Sequence, residues 1–176
     1  MELYIVRHGI AQPRGDESVT NDADRELTEK GRTRTRQAAQ GLRLMRCRPG
    51  LIVTSPLVRA AQTAEIMAEV LRPASPVQVC DFLSPGARTA DLVAWLCGLE
   101  QQEVMIVGHM PDVAEMASAL IADRHDVDIV FKKAAVCHIA FEGEPAPAAG
   151  RLECLLQARH LRGIATDWKS GSDDMG

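Results

Sequence analysis

The chain has 176 residues, of which 46% are apolar and 25% are charged, a balance typical of a globular protein with a buried core. Its net charge of −4 provides no general attraction to nucleic acid or to an anionic membrane, so we expect neither as a partner. No apolar run approaches membrane-spanning length, and the segment after Met1-Glu2-Leu3 lacks the basic start and long apolar core of a signal peptide, so we expect none. The five cysteines are scattered and lack zinc-site spacing, so we expect reduced thiols and a cytoplasmic location.

Short apolar runs alternate along the chain with segments of helical spacing. The runs at residues 3–6, 51–53, 77–79 and 104–107 predict buried strands. Apolar residues spaced three and four apart predict helices near residues 28–46, 57–71, 92–99 and 113–121. This alternation predicts a layered α/β fold with a mainly parallel central sheet.

The end of the chain follows a different pattern. Segments 135–141 and 152–158 flank a loop rich in proline and alanine, and they predict two further strands, an antiparallel pair at one edge of the sheet. We expect one domain over residues 1–166. The small and polar residues 167–176 predict a disordered tail.

Cationic and imidazole side chains follow three of the predicted strands. Arg7-His8-Gly9 follows the first strand, Arg59 comes after the Ser-Pro turn of the second, and His109 lies in a Gly-His turn after the fourth. Because the carboxyl ends of the strands form the ligand crevice of such folds, these side chains are expected to converge. Guanidinium groups pair with phosphoryl oxygens and a neutral imidazole can attack phosphorus. The pattern therefore predicts a phosphoryl-transfer site.

Other features of the same turns agree with this prediction. Pro56 and Pro111 are suited to the first position of a helix, where free N–H groups favour an anion. The sequence contains neither a Walker-type glycine loop nor a cluster of metal-binding carboxylates, so we expect no metal and no cofactor in the reaction. The polar loop Arg14–Glu26 is expected to form a mobile rim of the site.

These residues resemble the motifs of the histidine phosphatase superfamily, which includes cofactor-dependent phosphoglycerate mutase. Arg7-His8-Gly9 is similar to its signature tripeptide, Arg59 to its second arginine and His109 to its second histidine. Residues 27–31, Leu-Thr-Glu-Lys-Gly, are similar to a recurrent Leu-Thr-x-x-Gly helix start. The resemblance extends to about residue 160. It implies a phosphoglycerate mutase-like fold, a three-layer α/β/α sandwich.

The resemblance also implies a role for each matching residue. His8 would be the nucleophile that becomes phosphohistidine, without a metal. Arg7, Arg59 and His109 would bind the phosphoryl group and stabilise its transition state. Gly9 would permit close backbone approach at the substrate-binding turn.

The proton donor is the point at which this chain departs from larger members of the family. Those members carry an insertion with a general-acid glutamate, whereas the corresponding residues 80–86 here lack it in its usual context. Asp81 is the best available carboxylate, either a proton donor or an ordinary surface residue. An imidazole leaving group, with an unperturbed pKa of about 6.5, departs more easily than an alkoxide. The compact length, the missing insertion and the Leu-Ser-Pro-Gly stretch at residues 83–86 resemble SixA-type phosphohistidine phosphatases, which implies a phosphorylated histidine on a signalling protein domain as substrate.

Two alternatives remain open. One is a phosphatase for a small phosphoester, such as a sugar phosphate. A mutase is less favoured, because a bisphosphate substrate would need a second basic group and a well-placed acid. The other, from a different functional class, is a non-catalytic module that recognises phosphate. The lack of a clearly identified general acid keeps this second alternative open. The presence of the nucleophilic His8 argues against it.

Overall fold

A six-stranded mixed sheet forms the centre of the protein in the computed structural model, which describes residues 1–17, 19–122 and 127–173, with side chains up to Thr166. Its strands are β1 (Glu2–Arg7), β2 (Leu51–Thr54), β3 (Gln78–Val79), β4 (Glu103–Gly108), β5 (Val136–Ala140) and β6 (Arg151–Leu156). They are ordered β3-β2-β4-β1-β5-β6. β1 to β4 are parallel, while β5 runs antiparallel to β1 and β6 antiparallel to β5. The predicted parallel sheet with an antiparallel edge is confirmed.

Helices cover both faces of this sheet. They are α1 (Glu29–Leu44), α2 (Val58–Leu71), α3 (Thr89–Cys97), α4 (Asp112–Ala122) and α5 (Ala158–Asp173). Because successive strand residues point to opposite faces, Ile5 packs with α3 and α4 while the adjacent Val6 packs with α1, α2 and α5. The predicted three-layer α/β/α arrangement is confirmed.

Helix α5 is the main element that the sequence pattern did not predict. Residues 157–158 were expected to end a strand, but Ala158 begins the helix. Among residues 158–166, whose side chains the structure describes, the buried positions of this helix are Ala158, Leu161 and Ala165, and the two alanines add little to an apolar pattern. The helix continues through Asp173, into the segment predicted as a disordered tail, and residues 174–176 lie outside the described residues.

The two prolines lie slightly outside the helices that they precede. α2 begins at Val58 and α4 at Asp112, so neither Pro56 nor Pro111 occupies the first helical position and that prediction was wrong. Arg59 nevertheless lies in the first turn of α2, as predicted. Over the described ranges of the chain, none of the helices has the length and apolar character needed to cross a membrane.

Candidate active site

The sheet register places the predicted histidines side by side. Arg7 at the end of β1 is paired with Gly108 at the end of the adjacent strand β4, so His8 and His109 follow neighbouring strand ends. Their ring centroids are 5.1 Å apart. Strand β2 lies on the other side of β4 and leads through Ser55 into α2 and Arg59. The parallel topology therefore brings three chain segments to one crevice.

His8 is held in the tautomer that a nucleophile requires. Its ring is buried, and its Nδ1 lies 2.8 Å from the carbonyl oxygen of Gly9. Because a carbonyl only accepts hydrogen bonds, Nδ1 carries the proton and Nε2 keeps a lone pair. Burial, followed by the positive charge of Lys133, lowers the pKa of His8 to about 2. The imidazole is therefore neutral near neutral pH and able to attack phosphorus.

Gly9 is required by packing around His8. A Cβ at this position would lie 2.5 Å from the hydroxyl oxygen of Thr35 on α1. The Gly9 N–H donates to the hydroxyl of Thr63, which in turn donates to the carbonyl oxygen of Arg59. This chain of hydrogen bonds joins the turn after β1 to the first turn of α2. Direct contact between Gly9 and substrate stays a prediction.

A carboxylate of the loop Arg14–Glu26 is bound to the guanidinium group of Arg59. Arg59 is buried, and it donates to the backbone carbonyl of Asp22 at 2.7 Å and to its carboxylate at 3.1 Å. The same carboxylate lies 2.9 Å from Arg25 Nε and 3.4 Å from Arg14 Nε. Burial would raise the pKa of Asp22, but Arg59 and Arg25 outweigh it and the pKa is lowered. The Asp22 carboxylate is thus ionised, and Arg59 and Arg25 bind it as they would bind another oxyanion.

His109 is oriented by Ser55. The Ser55 hydroxyl oxygen lies 2.8 Å from His109 Nε2 and also accepts a hydrogen bond from the Leu57 N–H. If the hydroxyl proton is donated to Nε2, Nδ1 of His109 becomes the N–H donor of the ring. Burial, then the charge of Arg59, lowers the pKa of His109 to about 4, so a neutral ring is favoured.

Three of the predicted phosphate-binding side chains have a buried nitrogen without a hydrogen-bond partner among the described residues. These nitrogens are Nε of Arg7, Nε of Arg59 and Nδ1 of His109. Unpaired buried donors each cost about 1–3 kcal/mol, so a cluster of them is expected where a ligand satisfies them. An oxyanion with several acceptor oxygens, such as a phosphoryl group, meets that requirement.

Two further cations belong to this cluster, and the sequence analysis missed both. Lys133 lies just before β5, and its Nζ is 3.2 Å from His8 Nε2. Burial, then the charges of Arg7 and Arg25, lowers the pKa of Lys133 to about 8. Arg25 is buried and bonds to the Gln12 carbonyl as well as to Asp22. Both residues lie in irregular segments, where periodicity gives no signal.

Asp81 is not brought into the cluster. It lies on a single 3-10 turn, Asp81–Leu83, with an exposed side chain. In the part of the chain that the structure describes, no hydrogen bond or ion pair links it to His8, Arg59 or His109. The predicted role of Asp81 as proton donor therefore has no geometric support, although it stays a prediction.

Comparisons with known proteins agree with this site. Residues 3–84 match the family model of the histidine phosphatase superfamily, branch 1, a range that contains His8 and Arg59. An uncharacterised protein of Picosynechococcus is 41% identical over 139 residues, which are 77% of this chain and 82% of that protein. The phosphohistidine phosphatase SixA of Escherichia coli is 28% identical over 123 residues, 68% of this chain and 74% of that protein.

A solved structure shows the shared fold. The protein histidine phosphatase SixA in complex with tungstate superposes with a TM-score of 0.81 at 24% identity, covering 92% of this chain and 99% of that one. The chain therefore belongs to the histidine phosphatase superfamily, and among its members it resembles those of the SixA type.

Proposed function

We propose that this phosphatase removes the phosphoryl group from a phosphorylated histidine on a protein. The single observation that carries the chemistry is the state of His8, whose Nδ1–H is fixed by Gly9 and whose Nε2 faces Lys133. The similarity to a relative named phosphohistidine phosphatase SixA supports the choice of substrate.

The proposed reaction proceeds in two displacements. His8 Nε2 attacks phosphorus, the phosphorus–nitrogen bond of the substrate breaks, and the departing imidazole nitrogen takes up a proton from solvent. Water then attacks the phosphoryl group on His8, loses a proton, and releases inorganic phosphate while Nε2 regains its lone pair. Arg7, Arg59, His109 and Lys133 stabilise the equatorial oxygens in both steps.

The acid–base character of the site supports a nitrogen leaving group. Among the described residues, the carboxylate closest in contact with this cluster is Asp22, and its arginine partners hold it ionised. An ionised carboxylate cannot protonate an alkoxide, and cleavage of an ordinary ester depends strongly on such protonation. An imidazole leaving group has a weaker requirement for an acid.

The short connection beside the site supports a protein substrate. Residues 80–88, between β3 and α3, contain only the 3-10 turn Asp81–Leu83. A connection of this size adds no large covering segment on this side of the crevice, which favours a folded partner as substrate. Phosphorylated histidine on a signalling domain is therefore the preferred substrate, and a small phosphoester remains the second candidate because the same anion cluster would bind it.

The test compares substrates on one protein sample. Three substrates are supplied separately, and phosphate release from each is measured. The first is a histidine-containing signalling domain that has been phosphorylated with phosphoramidate; the others are p-nitrophenyl phosphate and a sugar phosphate. We expect kcat/KM for the phosphohistidine domain to exceed that for either ester by about a hundredfold or more, which is about 2.7 kcal/mol of transition-state stabilisation.

The controls separate the three candidate functions. His8→Ala should abolish release from every substrate. Rapid ester hydrolysis without release from the phosphohistidine domain would establish the small-ester alternative. Binding of phosphate by wild-type protein without turnover of any of the three substrates would establish the non-catalytic module.

A further inference from the structure

A cationic cavity lies directly beside the active site, and no role has yet been assigned to it. Its volume is about 290 Å³. Five of its lining residues carry a positive charge: Arg34 of α1, Lys132 and Lys133 before β5, and Arg159 and Arg162 of α5. Among the described residues, no acidic side chain lines it.

The positive charges of this cavity are not neutralised within the protein. In the described part of the chain, no ion pair involves Arg34, Lys132 or Arg162, and Arg159 bonds only to its neighbour His160. By contrast, Arg32 and Arg36 on the same helix α1 pair with Glu26 and Glu69. Like charges placed together repel one another, and a bound anion would relieve this repulsion.

Lys133 is shared by the cavity and the catalytic cluster. This residue lines the cavity and also places its Nζ 3.2 Å from His8 Nε2. Ile10, two residues after the nucleophile, lines the same cavity. The neighbouring groups of a ligand whose phosphoryl group reaches His8 would therefore lie close to Lys133 and to the cavity that it lines.

We propose that the cavity is a second anion-binding subsite, which receives a carboxylate or phosphate group carried by the same substrate as the scissile phosphoryl group. For the proposed protein substrate, this group is an acidic side chain close to the phosphohistidine, and that identification rests on the proposed function. For a small substrate, the same chemistry would be a second phosphate. A bisphosphate substrate needs a second basic group, and the cavity supplies one.

The test uses matched substrates and matched variants. Two phosphohistidine peptides differ only in having Glu or Gln beside the phosphohistidine, and a sugar bisphosphate is paired with its monophosphate. The variant Arg34→Gln/Arg162→Gln removes two cavity charges, and Arg36→Gln is the control on the same helix, since Arg36 pairs with Glu69 outside the cavity. For each protein, the ratio of kcat/KM within each substrate pair is measured.

We expect wild-type protein to prefer the Glu peptide by about tenfold, as one charge-assisted hydrogen bond would give. The double variant should reduce that ratio to near one, and Arg36→Gln should keep it. A preference shown only within the sugar pair, and lost in the double variant, would assign the subsite to a second phosphate. A ratio near one for both pairs, or a preference unchanged in the double variant, would overturn the proposal.

A binding measurement keeps the subsite testable even if no phosphohistidine substrate is turned over. Inorganic phosphate is titrated into ¹⁵N-labelled protein while the amide resonances of Gly9 and His109 report on the active site and those of Gln157 and Ala158 on the cavity. Two separate binding curves are expected, and the double variant should lose only the cavity curve. No response at Gln157 and Ala158, or the same response in the double variant, would overturn the subsite independently of the proposed function.

Discussion

The ammonium nitrogen of Lys133 lies 3.2 Å from Nε2 of His8, so the predicted nucleophilic atom is in direct contact with a cation. This contact disfavours protonation of His8, whose Nε2 lone pair accepts a hydrogen bond from the ammonium group. Once Nε2 bonds to phosphorus, the same ammonium group is placed to donate to a phosphoryl oxygen. We therefore expect Lys133 to act both before and after the proposed attack.

Replacing this lysine should impair the reaction and move its pH dependence. Burial and then Lys133 depress the pKa of His8, so Lys133→Met should raise that pKa and shift the acidic limb of kcat/KM to higher pH. The loss of a charge-assisted hydrogen bond should also lower kcat/KM by about 10- to 100-fold at neutral pH. The measurement is a pH–rate profile.

The adjacent lysine provides the control for that experiment. Lys132 is exposed and does not contact His8, so Lys132→Met should leave the position of the acidic limb unchanged. An acidic limb that stays in place in Lys133→Met would show that the contact with His8 has no electrostatic effect on the nucleophile.

Asp22 should compete with phosphate for the arginines of the site. Its carboxylate occupies Arg59 and Arg25, so a phosphoryl group must displace it. Asp22→Asn removes the competing charge and should lower the inhibition constant of inorganic phosphate by about three- to tenfold. Asp24→Asn, in the same 3-10 turn but without an ion pair among the described residues, should have no such effect. Weaker phosphate inhibition in Asp22→Asn would show that Asp22 organises the arginines instead.

The structure gives the Leu-Thr-x-x-Gly motif a physical basis. Thr28 caps α1 by accepting from the Gly31 N–H, and its own N–H donates to the Ile10 carbonyl. A Cβ at Gly31 would lie 2.0 Å from that carbonyl oxygen. The glycine thus lets α1 pack against the segment that follows His8.

Gly31→Ala should therefore lower the free energy of unfolding by about 1–3 kcal/mol through overpacking, as measured by urea denaturation. Gly163→Ala is the matched control, because its Cβ would meet open space on helix α5. That change should stabilise the protein by about 0.4–1 kcal/mol. Equal stability of wild type and Gly31→Ala would mean that α1 can shift away from Ile10 without cost.

The sequence was sufficient to predict the part of the site that depends on regular structure. His8, Arg59 and His109 follow strand ends, and parallel strands bring such positions to one edge. Lys133, Arg25 and Asp22 reach the site from irregular segments, whose path depends on tertiary packing. The predicted helix starts at Pro56 and Pro111 were wrong for a related reason, because the turns extend beyond the prolines before the helices begin.

Helix α5 and the cavity beside it could not be predicted from sequence patterns either. Helix α5 packs closely against α1 at Gly41, where a Cβ would lie 2.1 Å from the Leu161 carbonyl oxygen, and two of its three buried residues between 158 and 166 are alanines. Because α5 was not predicted, sequence spacing offered no reason to place Arg159 and Arg162 close to Arg34. The cationic cavity is consequently visible only in the folded structure.

The central claim is that His8 carries the phosphoryl group during turnover, and trapping tests it most directly. Wild-type protein is mixed briefly with a ³²P-labelled phosphohistidine domain, quenched in base, and its labelled residue is identified. We expect label on His8 that is stable in base and labile in acid, and neither label nor turnover in His8→Ala. Turnover that persists in His8→Ala would contradict the account. So would a wild-type protein that turns over substrate but shows no label on His8 after rapid quenching.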